Sequence, residues 1–207
     1  QTINGDTEPV TSLVWGPRME SVIVASRSLQ VRSFSVETGK VLKHFRGHRA
    51  PVAHMAVDGS ETLLATASAD KMVKVWDIEG GYCTHSFSGH RGVVLSCIFH
   101  PSQLLLVSGG DDSQIKIWDL ISKTCVATLQ AHFSAVTSLA ISEDGWTLLS
   151  AGRDGVVVLW NLKNYARIAT IPVHEAIEAV VALPSKANTG KSDAASHGLL
   201  FATGGEK

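Results

Sequence analysis

Cysteine is scarce in this chain: Cys83, Cys97 and Cys125 are the only three in 207 residues. So few, and odd in number, they cannot make a disulfide framework, and a reduced compartment such as cytosol or nucleus is expected. No apolar run reaches the 18 or so residues that cross a bilayer as a helix, and the polar start QTINGDTEP does not read as a signal peptide. A soluble protein without a membrane partner is therefore expected. Neither sign of charge is in excess, with 18 Lys and Arg against 19 Asp and Glu. Bulk attraction to nucleic acid or anionic membrane is thereby excluded, so any RNA contact has to be local or indirect. No window carries a convincing 3.6-residue period, which argues against long amphipathic helices.

What the chain has instead is a repeat. The stretches DKMVKVWDI, DDSQIKIWDL and DGVVVLWNL place Trp76, Trp118 and Trp160 at a constant spacing of 42 residues. The same shift aligns Gly47-His48 with Gly89-His90, Ala131-His132 and Val173-His174. It also aligns Asp70 with Asp112 and Asp154, Thr66 with Ser108 and Ser150, and Cys83 with Cys125. Trp15, Val57, Phe99 and Ile141 share an apolar position. Between these landmarks, VVLSCIF, QLLLVSG, QIKIWDL and TCVATL are short β-branched runs bounded by Gly, Asp, Ser and Pro, the mark of strands and tight turns. Each period holds four strands, with Gly-His before them and Trp-Asp near the end.

On these residues the chain resembles the WD-repeat family, whose fold is the β-propeller, four-stranded blades around a central channel. The expected class is all-β. Residues 1–207 are read as part of one propeller, with repeats at about 5–46, 47–88, 89–130 and 131–171 and a partial one at 172–207. That makes about five blades of a ring which the resemblance implies has seven, incomplete at both ends. The first repeat departs from the signature, carrying Asp6, Val24, Ser28 and Phe34 at the His, Ser/Thr, Asp and Trp positions. The last keeps His174 and Thr203, interrupts them with PSKANTGKSDAASHG, and stops at ATGGEK before a third strand.

Several residue sets imitate chemistry. His90, Ser108 and Asp112 could be taken for a hydrolase triad, but His48, Thr66, Asp70 and His132, Ser150, Asp154 repeat the trio. Catalysis needs one pre-organised constellation, not one per repeat. The resemblance implies a structural role: the loop histidine bonds the turn aspartate and the strand hydroxyl, and that hydroxyl meets the indole N–H of Trp76, Trp118 or Trp160. No catalytic residue is expected. NTGKS (188–192) resembles the end of a phosphate-binding loop, but Ser185 stands where a glycine is required and the following HGLLFAT reads as a strand. Of nine histidines four sit on the 42-residue period, and no Cys/His pair has zinc-finger spacing, so neither metal nor cofactor is expected. His54 aligns with Ser12, Ser96 and Ser138 in an inner strand, where a channel-lining role is open.

Partner binding is a different matter. Arg49, Arg91 and Phe133 follow the loop histidine in three consecutive repeats, and Arg153 sits beside Asp154 in a turn on the same face. They are either solvated surface or a face that grips acidic peptide or phosphate. Trp146, in SEDGWT, has Glu61 and Gln103 in comparable turns, so the core does not demand an indole there. It either lies over its own hairpin or anchors an interface.

HFSAVTSLAISEDGWTLLSAGRD, EAIEAVVALP and GGYCTHSFSGHRGVV resemble the transducin-beta-like WD-repeat subunits of the small-subunit processome, a plant-known type. That resemblance implies a nucleolar protein working with other WD-repeat subunits in small-subunit rRNA maturation. From the residues alone the reading stops at a non-enzymatic platform for other proteins. A phosphopeptide reader using Arg49, Arg91 and Arg153, such as a ubiquitin-ligase substrate receptor, is the competing reading.

Overall fold

The computed structural model describes residues 8–183 and 200–205. The turn-bounded β-branched runs become eighteen strands, and the one helical element among the described residues is a 3-10 turn at Pro17–Met19. The first sheet holds β1 (Val10–Trp15), β2 (Ser21–Ser26), β3 (Val31–Ser35) and β4 (Val41–Phe45). The second holds β5 (Val52–Val57), β6 (Leu63–Ser68), β7 (Met72–Asp77) and β8 (Cys83–Ser88). The third holds β9 (Val94–Phe99), β10 (Leu105–Gly110), β11 (Gln114–Asp119) and β12 (Thr124–Gln130), and the fourth β13 (Val136–Ile141), β14 (Thr147–Gly152), β15 (Val156–Asn161) and β16 (Ala166–Pro172). Each is an antiparallel meander in sequence order, and β17 (Ile177–Leu183) pairs with β18 (Leu200–Gly205) in a fifth.

The sheets are the blades of a propeller. Burial within a blade explains the composition of its strands. The second strands β6, β10 and β14 are buried over nearly their whole length, covered on both faces by neighbouring blades. Small residues there, such as Ala67, Gly109 and Ala151, let sheets approach closely: a Cβ on Gly109 would lie 2.6 Å from Val136 Cγ1 of the next blade. The outer strand β12 is mostly exposed and β8 half so.

Each interface between blades is one apolar cluster. Between the first two blades Ile23, Ala25, Val31 and Phe45 pack on Met55, Leu64, Trp76 and Ile78. Trp118 takes the corresponding place in the next cluster, with Phe87, Val94 and Leu106, and Trp160 in the one after, with Ile117, Leu129 and Leu148. Each indole is at most 4% exposed. Trp15 departs from the other members of its repeat position. It is 52% exposed, whereas Phe99 is buried, because the packing sequence among the described residues begins with its blade.

Every inner strand carries a bulge at one place. Thr11, Ala53, Leu95, Thr137 and Glu178 each fall between two register pairs, unpaired with the second strand. Such an extra residue re-aims the side chains around it. The partial last blade keeps this register, with Val180 opposite Thr203 as Met55 stands opposite Thr66. The whole 184–198 insertion, with its NTGKS stretch, lies outside the described residues, as does Asp6.

Candidate functional site: the repeated polar chain and the loops it holds

Tryptophan is the largest side chain these interfaces bury, and its N–H must find an acceptor there or be buried at a loss. Trp76 Nε1 donates to Thr66 Oγ1 at 2.9 Å, Trp118 Nε1 to Ser108 Oγ at 2.8 Å and Trp160 Nε1 to Ser150 Oγ at 2.9 Å. The hydroxyl in turn lies 2.6 Å from His48 Nε2, 2.8 Å from His90 Nε2 and 2.8 Å from His132 Nε2. The other ring nitrogen meets a carboxylate: His48 with Asp70 at 2.8 Å, His90 with Asp112 at 3.0 Å, His132 with Asp154 at 3.0 Å.

Proton counting assigns the direction. The hydroxyl accepts from the indole and donates to Nε2, so the neutral imidazole carries its proton on Nδ1 and donates it to the carboxylate. Every donor is used once. Burial lowers the pKa of His48 and His90, against the opposing pull of Asp70 and Asp112, which keeps both rings in this neutral form. A hydroxyl at most 0% exposed, under an indole, cannot reach a substrate as a nucleophile. The trio is therefore a buried strut.

The carboxylate has a second duty. Asp70 accepts the backbone N–H of Arg49 at 3.0 Å, Asp112 that of Arg91 at 2.8 Å and Asp154 that of Phe133 at 2.9 Å. Burial works to raise the carboxyls of Asp70 and Asp112, but these N–H groups, the histidines, and Met72 or Gln114 outweigh it and hold both below the usual range. The internal chain thus pins the loops on which the candidate contact residues ride. Gly47 and Gly89 close those loops at φ +149° and +152°, with a would-be Cβ 3.3 and 3.2 Å from the indole below, so a side chain would be strained there, whereas blade four carries Ala131 at the equivalent place.

Phe133 stands 95% exposed. Arg49 and Arg91 are exposed as well, each on the loop of a different blade. Arg153 Nε lies 3.5 Å from Glu178 Oε1, the bulge residue of the next blade. In the last blade His174 is exposed.

Trp146 belongs to the opposite face and needs a correction of alignment. Leu162 N donates to Trp146 O as Ile78 N does to Thr62 O and Leu120 N to Leu104 O. Its structural counterparts are therefore Thr62 and Leu104, not Glu61 and Gln103. The backbone hydrogen bonds across each blade, rather than the spelling of the turn, set the equivalence. The ring is 37% exposed, with Lys163 Nζ 4.0 Å above its centroid and His100 of the preceding blade edge-on at 6.4 Å.

One recurring set lies on the 42-residue period, but the contacts it makes are not apparent from the spacing. Ser12 Oγ accepts the N–H of Met55 at 3.1 Å, and Ser138 Oγ that of Val180 at 3.1 Å. His54 Nδ1 does the same for Cys97 N at 3.4 Å, so His54 serves a neighbouring blade. Burial lowers the His54 pKa and pushes the Cys97 thiol up to about 12, so this pair is not a nucleophile and base. The bulge residues add a second stitch, Thr11 Oγ1 to Val52 O at 2.6 Å and Thr137 Oγ1 to Ile177 O. The signal was present as the Thr-Ser pairs 11–12 and 137–138. Among the described residues no three His, Cys, Asp or Glu side chains gather to hold a metal ion.

Four-stranded blades, three of them locked by a buried polar chain that pins a loop, define a propeller repeat protein. The chain belongs to the family of the WD domain, G-beta repeat, whose pattern it matches at residues 39–77, 81–119 and 123–161. No curated protein matches its sequence. Among the solved structures that resemble it in shape are those of U3-55K and of the RRP9 WD40 repeats. Each superposes with a TM-score of 0.80 at 25% identity over 87% of this chain. The chain spans 57% of the first and 56% of the second.

Proposed function

We propose that this chain is a non-enzymatic platform for protein assembly, acting in the nucleolus as a subunit of the small-subunit processome, in small-subunit rRNA processing and ribosome biogenesis. The observation that carries the platform reading is the complete internal use of the three His-Ser/Thr-Asp-Trp sets. They hold loops out to solvent and keep no group for chemistry. The processome assignment rests on the resemblance of the quoted stretches to the transducin-beta-like subunits of the Tormoz type. The shape shared with U3-55K and the RRP9 repeats supports the platform. Its partners on this reading are other processome proteins, many of them WD-repeat subunits, with RNA touched locally or through them.

A peptide reader working through Arg49, Arg91 and Arg153 is the second reading. Against it, Arg153 is already engaged by Glu178, and the arginines stand on loops of separate blades. Affinity purification of the full-length protein, with identification of co-purifying proteins and RNA, separates the two. Pre-ribosomal components are expected. Recovery of ubiquitin-ligase subunits in their place would overturn the assignment.

A further inference from the structure

The third strands of blades two and three carry a lysine in the same register, Lys74 opposite Ser86 and Lys116 opposite Thr128. Their surroundings differ. Lys116 is buried, and its Nζ donates to Thr128 Oγ1 at 3.1 Å. Its stem carbons Cε and Cδ lie over Gly89, 3.8 and 3.9 Å from a would-be Cβ. In blade two the ammonium nitrogen itself stands at that place, 3.8 Å from the corresponding point on Gly47. Lys74 is therefore turned up toward the Gly47–Arg49 loop and has no hydrogen-bond or ion-pair partner among the described residues. Its ammonium lies 6.0 Å from the Trp76 ring and near enough to His48 to disfavour the protonated imidazole. Blade four has Val158 at this position and no cation at all.

The lysine opens onto a cleft of about 390 Å³ lined by Gly47, Arg49, Asp70, Met72, Lys74 and Ser86. Both Asp70 oxygens already accept hydrogen bonds, from His48, Arg49 N and Met72 N. Two cations and one free hydroxyl thus remain to a ligand, beside the apolar wall of Met72. A half-buried ammonium with no partner is costly, and an anion offsets that cost with charge-assisted hydrogen bonds.

We propose that this cleft binds an acidic side chain of a partner protein, a Glu or Asp carboxylate held between Arg49 and Lys74, with Ser86 as third donor and Met72 against the methylene stem. The inference goes beyond the platform reading by naming the chemistry of one contact, and it needs a partner protein but not a nucleolar one. Peptide binding and nucleolar co-purification can fail independently.

The test is fluorescence anisotropy with a labelled peptide of alternating Asp and Glu, beside its Asn/Gln twin, at low salt. The acidic peptide is expected to bind and the uncharged twin to bind at least about tenfold more weakly, the scale of one lost charge-assisted hydrogen bond. R49Q and K74M should each weaken binding about tenfold. R49Q changes an exposed loop residue, so it reads binding even if K74M disturbs the blade. R167Q, which removes a positive charge from the outer strand of blade four, should change affinity less than about twofold, as expected of a distant exposed charge. Unchanged binding in R49Q and K74M, or an equal loss in R167Q, would overturn the proposal. Displacement of the peptide by inorganic phosphate at equal concentration would overturn it too, by showing a small-anion site.

Discussion

The hydroxyl of Ser12, in the inner strand of the first blade, accepts the backbone N–H of Met55 in the inner strand of the second at 3.1 Å. An inner strand has only one strand neighbour, so amides on its other side need a partner from elsewhere. Ser12, His54 and Ser138 supply it at the first, second and fourth blade interfaces. Ser12→Ala and Ser138→Ala should each cost about 1 kcal/mol, the net value of such a bond. The sharper readout is amide exchange, which should quicken at Met55 or Val180 respectively. Unaltered protection at those amides would show that the contact does not hold the interface.

Ser108 is the junction of its buried chain, serving both Trp118 and His90. Ser108→Ala strands the indole N–H and the ring nitrogen together, each costing about 1–3 kcal/mol when buried unpaired. Trp118→Phe removes the donor but keeps most of the ring, so its loss should be smaller than that of Trp118→Ala, about 3–5 kcal/mol. Urea denaturation of the three variants orders them. A Ser108→Ala protein as stable as the parent would contradict the wiring.

The same chain makes stability fall on acidification. His48 and His90 have lowered pKa values when folded, so between those values and the free histidine value of about 6.5 the unfolded chain binds more protons. Their contribution is full above about 6.5 and is lost as pH falls through the folded values. Asp70 and Asp112, also lowered, act in the same direction below about pH 4. Urea midpoints should hold steady from pH 8 to 7 and drop progressively from about pH 6.5 downward. A midpoint that rises on going from pH 7 to pH 5 would be the wrong sign.

Trp146 should behave unlike the other three interface tryptophans. It is partly exposed, and its close partner is a surface lysine, a contact worth about 0.5–1 kcal/mol at exposed sites. Trp146→Ala should therefore shift the urea midpoint far less than Trp118→Ala. If an interface uses this face, the variant loses co-purifying proteins while remaining folded; equal stability loss in the two variants would place Trp146 in the core.

The 42-residue period was enough to mark the repeats over 47–171, their strand meander and the residues of the three polar sets, while the bonding within each set was implied by the family resemblance. Each blade has to bury one indole against its neighbour, and each solves that within its own repeat, through Thr66, Ser108 or Ser150 ten residues before the tryptophan. Demands met inside a repeat recur with the repeat and are visible along the chain. Contacts made between repeats can recur too, but the chain does not show which residues they join. Ser12 and Met55 are 43 residues apart, and only the stacking of inner strands brings them together. Likewise the pairing of Arg153 with Glu178 depends on the bulge of the following blade. Lys74 and Lys116 stand in near-identical strands, MVKVWD and QIKIWD, yet one is satisfied and one is open. The Lys116 ammonium meets Thr128 across the sheet, whereas that of Lys74 is turned toward the loop at Gly47. A hydrogen bond is decided by the position of two atoms in space, and that position is set by the tertiary packing.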